Sequence, residues 1–143
     1  MIIDTFQGRH AFLSNFHPVE VELDGAVYPS VEHAYQAAKS SDSTYRRRVA
    51  LTVTPRAAKK LGKRIKTLDP DWESVKITVM RDLLAQKFKK GSSLANQLVA
   101  TAPRELIKGN RWGDTFWGVC RGVGQNHLGK LLMERRAIII GGA

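Results

Sequence analysis

Apolar and acidic residues alternate in the segment Val19–Leu23 (VEVEL), and a period of two is typical of a strand with one buried face. Asp24-Gly25 then predicts a hairpin turn, because glycine accepts the positive φ that a two-residue loop requires. The return strand covers Ala26–Tyr28 and stops at Pro29, and Ile2-Ile3 opens the chain with a further short strand. The first 30 residues are therefore predicted to form a small sheet.

Beyond residue 30 the apolar positions recur every three to four residues, which is the period of a helix. Ser30 is placed to cap the first of these helices. In the fourth, Asp69 caps, Pro70 takes the first helical position and Gly91 ends the helix. Glu105–Ile107 is a further candidate strand. The predicted helices cover about 31–40, 43–51, 55–60, 69–90, 93–100 and 126–137.

The apolar stripes of the two longest helices predict the core. In the fourth helix Trp72 and Leu83 fall on one stripe, and the last helix is predicted to bury Leu128, Leu132 and Ile138. Many helices and one small hairpin give an α+β fold. We predict a compact, predominantly helical single domain over residues 1–143, with a small N-terminal β-hairpin.

Composition narrows the class of protein. The chain has 143 residues, and its 43% hydrophobic and 25% charged content is that of a globular domain, so disorder is excluded as the main state. Its single cysteine, Cys120, cannot form an intramolecular disulfide and suits a reducing compartment. An apolar run of membrane-spanning length and a signal peptide are both absent from the sequence. We expect a soluble, cytoplasmic protein with no membrane partner.

The net charge of the chain is unusually positive. Lys and Arg number 23 against 13 Asp and Glu, a formal net charge of +10. The basic residues lie in patches at Arg46–Arg48, Lys59–Lys66 and Lys87–Lys90. Such a surface attracts anions: nucleic acid, nucleotides and phosphorylated metabolites all qualify. A solvated surface that only aids solubility is the alternative.

The segment SVEHAYQAAK, residues 30–39, is the first candidate for chemistry. On a helix, Glu32, Tyr35, Gln36 and Lys39 lie on about one face, because steps of three, four and seven residues superpose. A carboxylate and an amine together can act as an acid/base pair, or as an acid and a nucleophile. At this spacing alone, both are commonly surface residues. His33 points to another side, as a packed or surface histidine.

The stretch Gly109–Asn126 is the second candidate. Its glycines allow a ligand to approach the backbone, and Trp112 and Trp117 offer stacking planes. Gly122–Gly124 precedes the last helix, whose first N–H groups could hold a phosphate. Asp114 is its only acid. A tight turn packed with tryptophans is the alternative interpretation.

The sequence gives weaker indications of other ligand sites. Ser14 and Asn15, in the segment FLSNF, could hydrogen-bond a polar ligand or form a turn. The four histidines are scattered, and with one cysteine the sequence contains no spaced ligand set for a metal. We therefore predict no metal site.

Taken together, these segments resemble the NADAR (YbiA-like) family over almost the whole chain. The SVEHAYQAAK segment and the C-terminal WG…GQNHLGKLLMERR pattern carry most of the resemblance. The matching segments are FLSNF (12–16), YPSVEHAYQAAK (28–39), WESVKITVMRDLLAQKF (72–88), LVATAPREL (98–106), GDTFWG (113–118) and GQNHLGKLLMERR (124–136).

The resemblance implies an enzyme that hydrolyses N-glycosidic bonds without a metal or organic cofactor. Two substrate classes are implied: phosphorylated, ribose-linked early intermediates of riboflavin biosynthesis, and ADP-ribose attached to guanine, with ADP-ribosylated DNA or RNA as a further partner. It also implies a compact, mostly helical α+β domain. The competing hypothesis is a binding module that holds ADP-ribose or nucleic acid without turning it over.

The resemblance also implies site residues. Glu32 and Lys39 fall at positions of the family's catalytic pocket, and Asp114 is a third catalytic candidate. Glu32 would stabilise a cation-like ribose, and Lys39 would either protonate a leaving group or form a Schiff base. The substrate-binding candidates are Ser14, Asn15, Tyr35, Gln36, Trp112, Trp117, Gly118 and Asn126.

Overall fold

The computed structural model describes residues 1–142, and the predicted domain limit at Ala143 lies outside them. The chain forms two compact units: Asn15–Lys87, and Met1–Ser14 together with the chain from Phe88 onward. The strands are β1 (Ile2–Ile3), β2 (Pro18–Leu23), β3 (Ala26–Ser30), β4 (Glu105–Leu106), β5 (Gly109–Asn110) and β6 (Val119–Cys120). The helices are α1 (Val31–Ala38), α2 (Ser43–Ala50), α3 (Pro55–Lys63), α4 (Trp72–Lys87), α5 (Ser93–Ala100) and α6 (His127–Ile140), with a 3-10 helix at Gly8–Leu13.

About 49% of the chain is helical and 14% is strand, which confirms the predicted α+β class with helices dominant. The assignment of a single domain to residues 1–143 stays a prediction. Among residues 1–142, every helix is too short or too polar to cross a membrane.

The predicted hairpin is present in the unit Asn15–Lys87. β2 and β3 pair antiparallel, and Asp24 and Gly25 between them have φ of 49° and 85°. Val21 faces Tyr28 in this register, and both are buried. The return strand does not stop at Pro29 but runs through it to Ser30, because an edge strand tolerates a residue without an N–H.

Helix α1 is the centre of this unit. All of its residues are buried, and it packs against α2, α3, α4 and both strands. Its start is fixed as predicted: the Ser30 hydroxyl accepts a hydrogen bond from the His33 N–H at 3.1 Å. A short helix buried on every side cannot be placed by an amphipathic pattern, so its position depends on this cap and on tertiary packing.

Three predicted helix limits in this unit are wrong. α3 continues through Gly62 to Lys63, since Gly62 lies in a buried position of the helix and does not end it. α4 ends at Lys87, before the predicted limit at Lys90, and it begins at Trp72, later than predicted. The reason is the Asp69 carboxylate, which accepts hydrogen bonds from the Ser41 N–H at 3.0 Å and hydroxyl at 3.2 Å instead of capping α4.

In the other unit, β1 pairs with β4 and β5 with β6, both in parallel. α6 packs against α5 and β4 and buries Leu128 and Leu132. The prediction that Ile138 is buried is wrong, since its exposed fraction is 39%. Arg136 takes the buried position of that turn: its guanidinium donates to the Thr101 hydroxyl at 3.0 Å and to a main-chain carbonyl at 2.8 Å.

Lys87, at the end of α4, is a buried base with an exposed fraction of only 1%. Burial lowers the pKa of its ammonium from 10.5 to about 7. Between those two pH values the folded state binds fewer protons here than the unfolded state does. The contribution of Lys87 to stability therefore rises with pH from about 7 to 10.5 and is least favourable below 7.

We expect the effect of Lys87→Met on the melting temperature to be more favourable at pH 6 than at pH 9.5 by several degrees, because methionine fills a similar volume without the charge that burial disfavours. Thermal unfolding at both pH values measures this difference. Lys89→Met, at an exposed lysine two residues away, is the control and should change neither value. An equal shift at both pH values would contradict the interpretation.

Candidate active site

Glu32 lies in the first turn of α1, with an exposed fraction of 7%. Its carboxylate oxygen Oε2 accepts a hydrogen bond from Gln36 Nε2 at 2.6 Å, and its N–H donates to the Asn15 carbonyl at 3.1 Å. The first turn of a helix favours an anion. The sequence spacing thus correctly put Glu32 and Gln36 side by side, and the structure adds that the pair is buried.

Lys39 follows the last turn of α1 and is half-buried. Its Nζ lies 5.8 Å from the centroid of the Tyr35 ring, a cation–π distance. Tyr35 in turn packs against Trp72, with 5.2 Å between ring centroids. The amine therefore sits beside aromatic groups, not out in solvent.

The pKa of Lys39 is lowered below its ordinary value of 10.5. Burial is the largest cause, because removing the ammonium from water disfavours its charge. The carboxylate of Glu32 opposes this shift, the cations Lys76 and Lys59 add to it, and Glu73 opposes it weakly. A lysine in this setting loses its proton more readily than a surface lysine does.

Gly62 makes room for these side chains. A Cβ built there would overlap the Gln36 side-chain oxygen and would come within 3.3 Å of Lys39 Nζ. A larger residue at this position of α3 would therefore displace the end of the Gln36 side chain. Sequence reasoning missed this residue as part of the site. The signal available was a glycine inside a helical pattern that does not end the helix.

Two buried amide oxygens face no donor within residues 1–142: Oδ1 of Asn15 and Oε1 of Gln36. The amide nitrogen of Asn15 contacts the Met80 sulfur at 3.7 Å. Buried polar atoms are normally paired. Both residues were predicted to bind substrate, and that role stays a prediction, since Gln36 Oε1 lies against Gly62 of α3.

His33, also on α1, has a structural role. Its Nε2 donates to the Thr52 carbonyl at 3.1 Å, which leaves Nδ1 to accept from the Ser30 hydroxyl at 2.7 Å. Both ring nitrogens are therefore used within the fold, and the prediction of a packed histidine is confirmed.

Asp114 lies in the other unit and organises a loop. Its Oδ1 accepts hydrogen bonds from the N–H groups of Phe116 (3.3 Å) and Trp117 (3.0 Å), and its Oδ2 lies 3.3 Å from the Lys108 ammonium. The Asn110 side chain bonds the main chain of Asp114 in both directions. This arrangement supports a role in shaping the loop. A direct catalytic role for Asp114 stays a prediction.

The Asn126 side chain is likewise bonded within its unit. Its Oδ1 accepts from the Lys108 N–H and its Nδ2 donates to the Leu106 carbonyl, both at 3.0 Å. Its φ of 53° is left-handed, which asparagine tolerates. Gly118 is close by: a Cβ there would overlap the Lys108 carbonyl oxygen. These contacts connect the loop before α6 to the strand segment at 106–108.

The prediction that the first N–H groups of the last helix could hold a phosphate is wrong. The main-chain N–H groups of residues 125–128 donate at 2.8–3.3 Å to carbonyl oxygens of residues 115–118. The donors that an anion would need are already used. The alternative interpretation, a tight turn packed with aromatic residues, describes this region.

The tryptophans of this region differ in burial. Trp112 has an exposed fraction of 61%. Trp117 is half-buried and meets Phe116 edge to face at 4.8 Å between centroids, with His127 6.4 Å away. Trp112 is therefore the ring with more free surface for a base to stack on.

The predicted site residues thus fall into both units. The unit Asn15–Lys87 holds Asn15 and brings together Glu32, Tyr35, Gln36 and Lys39. The other unit holds Ser14, Trp112, Asp114, Trp117, Gly118 and Asn126. Within residues 1–142, His, Cys, Asp and Glu side chains do not gather in any group of three or more that could hold a metal ion.

The NADAR domain family matches residues 4–140, nearly the whole chain. This chain belongs to the NADAR family. N-glycosidase YbiA of Escherichia coli is 41% identical over 125 residues, which are 86% of this chain and 78% of that protein. An N-glycosidase of Nostoc punctiforme is 35% identical, over 86% of this chain and 81% of its own.

The NADAR fold is also seen in a solved relative. The NMR structure of Escherichia coli YbiA superposes with a TM-score of 0.84 at 35% identity, covering 99% of this chain and 88% of that one. A riboflavin biosynthesis protein of Vibrio vulnificus is 36% identical over 90% of this chain but only 35% of its own length. The predicted family and the predicted enzyme class, N-glycosidase, are confirmed by these relatives.

Proposed function

We propose that this NADAR protein hydrolyses the bond between a phosphorylated ribose and a nitrogen base, with Glu32 and Lys39 as its catalytic residues. The observation that carries the proposal is the arrangement on α1. A buried carboxylate in the first turn of α1 is oriented by a 2.6 Å hydrogen bond, and a half-buried lysine with a lowered pKa caps the other end of this helix. A titratable group whose pKa is shifted by burial and that lies beside a charged partner is typical of catalytic sites.

Glu32 has the properties that this cleavage needs. When the C1–N bond breaks, its electron pair leaves with the base and positive charge develops on the ribose. A fixed carboxylate stabilises that charge without reorganising at the moment of reaction. The hydrogen bond from Gln36 supplies this orientation. Water then adds to C1 and passes a proton to the Glu32 carboxylate, which gives the free sugar.

Lys39 has two possible roles. As an ammonium it would donate a proton to the departing nitrogen. As a neutral amine it would add to C1 of the ring-opened ribose, which is joined to the base through a C=N bond, and would expel the base together with a proton from the amine. Water would then hydrolyse the C=N bond, releasing the sugar aldehyde and restoring the amine. Its lowered pKa favours the second role, because more of the neutral amine is present near neutral pH.

Reduction by borohydride during turnover is expected to attach the sugar covalently to Lys39, and mass spectrometry of the digested protein locates the adduct. The yield should rise with pH to a midpoint below 10.5, the ordinary lysine value. Lys39→Met should abolish the adduct, whereas Lys63→Met, at an exposed lysine of α3, should retain it. Turnover of substrate without any adduct at Lys39 would contradict the Schiff-base role.

Two substrate classes suit this site: a ribose-linked riboflavin intermediate, and ADP-ribose attached to guanine in a nucleotide, DNA or RNA. The name of the Vibrio vulnificus relative supports the first. Parallel product assays separate them, since the first releases ribose 5-phosphate and the second releases ADP-ribose. We propose the cytoplasm as the place of action, which suits the buried free thiol of Cys120.

A non-catalytic module that binds ADP-ribose or nucleic acid is the second candidate. The exposed ring of Trp112 and the net charge of +10 favour it. Binding of either substrate class over hours without release of sugar or base would decide for this candidate.

A further inference from the structure

A cleft of about 370 Å³ lies beside α2 in the unit Asn15–Lys87. Its walls come from α2, from the end of α3 and from the segment that follows it. Three cationic side chains line it, Arg48, Arg64 and Lys66. Glu32 and Lys39 do not line it, so this cleft is not the site described above.

The charged ends of these three side chains make no hydrogen bond or ion pair with any residue in the described part of the chain. Arg46, on the same helix, is different. Its guanidinium pairs with Asp24 at 2.6 Å and donates to the Ser40 carbonyl at 2.6 Å. The run Arg46–Arg48 therefore contains one arginine that holds α2 in place and another whose charge is turned to the cleft.

The cleft is held in shape by hydrogen bonds behind its walls. The Tyr45 hydroxyl donates to the Gln36 carbonyl at 2.8 Å, which fixes α2 against α1. The Ser40 hydroxyl donates to Thr67 Oγ1 at 2.9 Å and accepts from the Asp42 N–H at 3.1 Å. The main chain of this site therefore loses little conformational entropy when a ligand binds, and the exposed side chains of Arg48, Arg64 and Lys66 are what binding has to order.

The lining combines three kinds of group. The three cations suit phosphate oxygens, which a guanidinium binds with two parallel hydrogen bonds. Leu61 and Ile65 add apolar surface for a sugar or a base. Asp42 is the only acid among the lining residues, and its carboxylate already accepts the N–H of Tyr45 at 2.8 Å. The volume is within the range of small-molecule sites.

We propose that this cleft binds the phosphate chain of a nucleoside di- or triphosphate, at a site separate from Glu32 and Lys39. Three cations around one volume match several phosphate groups better than a single one. The cleft next to it, which shares Arg48 and Leu61, adds Lys60 as its only further cation and is otherwise mainly apolar. Of these two clefts, the first therefore holds more of the positive charge, which favours a compact polyphosphate as its ligand.

Calorimetric titration of the full chain with ATP, and separately with inorganic tripolyphosphate, tests the proposal. Arg64→Gln and Arg48→Gln should each lower the affinity for both ligands about tenfold or more, since each removes a charged phosphate contact. Arg56→Gln is the matched control: it removes the same charge from an exposed position of α3 that does not line the cleft, and it should change affinity less than twofold.

Glu32→Gln should leave ATP binding unchanged, so failure of the catalytic assignment and failure of this site can be told apart. Binding of a labelled single-stranded oligonucleotide is measured in the same way. An equal loss of ATP affinity in the Arg56 and Arg64 variants would overturn the proposal. Binding of the oligonucleotide with no measurable binding of ATP would overturn it too. Selective loss of ATP and tripolyphosphate in the cleft variants would establish it.

Discussion

Glu32→Gln is expected to lower turnover by about 10²–10³-fold, the usual cost of removing one preorganised electrostatic group. Glutamine keeps the shape of the side chain, and its amide oxygen can still accept the 2.6 Å hydrogen bond from Gln36. Substrate affinity and melting temperature should therefore change little. Single-turnover rates, affinity measured by calorimetry and thermal unfolding of the variant separate these quantities.

Glu20→Gln is the matched control for this experiment, because it removes the same charge from an exposed position on β2. It should retain full turnover. A purely structural role for Glu32 predicts a different pattern, in which melting temperature, binding and turnover fall together. Near-full turnover of Glu32→Gln would show that the catalytic assignment is wrong.

Gly62→Ala is expected to lower turnover on the order of 10²-fold, the size of effect that a misplacement of about 1 Å can produce. The new methyl group would overlap the side-chain oxygen of Gln36, so the amide has to move. Glu32 then loses the hydrogen bond that orients it, although the alanine touches no substrate. Lys39 Nζ, 3.3 Å from the new Cβ position, is disturbed much less.

Removing the obstructed side chain tests this explanation. In Gly62→Ala combined with Gln36→Ala the overlap is gone, so the melting temperature should recover towards that of Gln36→Ala alone. Turnover should stay low, because Glu32 still lacks its hydrogen-bond donor. Lys63→Ala, one residue further along α3 and exposed, controls for helix propensity. Unchanged turnover in Gly62→Ala would refute a positioning role for Gln36.

Local features of the fold could be predicted from the sequence because the interactions that cause them are local. The hairpin at Asp24-Gly25 depends on adjacent residues, and the cap at Ser30 acts on an N–H three residues ahead. The same holds for the contact between Glu32 and Gln36, since residues one turn apart on a helix are neighbours. Periodicity therefore placed four candidate side chains on one helix correctly.

Other features were decided by contacts between residues far apart in the chain. Gly62 is 26 positions from Gln36, so no periodic pattern connects them. Asp69 accepts a hydrogen bond from Ser41 instead of capping α4, and Ser41 lies 28 residues away in the sequence. The buried Arg136 needs acceptors at 101 and 104. A periodic pattern ranks positions by hydrophobicity, but it does not show which distant group will accept a hydrogen bond.

The sequence by itself thus determined the helical α+β class, the cap at Ser30, the hairpin turn, the positive charge and the family. It also determined that a carboxylate and a lysine share one helix. Only the tertiary structure decided that this helix is buried, because burial comes from α2, α3 and α4 packing around it. That burial lowers the pKa of Lys39 and fixes the orientation of Glu32, since desolvation and distant charges act through space and not along the chain.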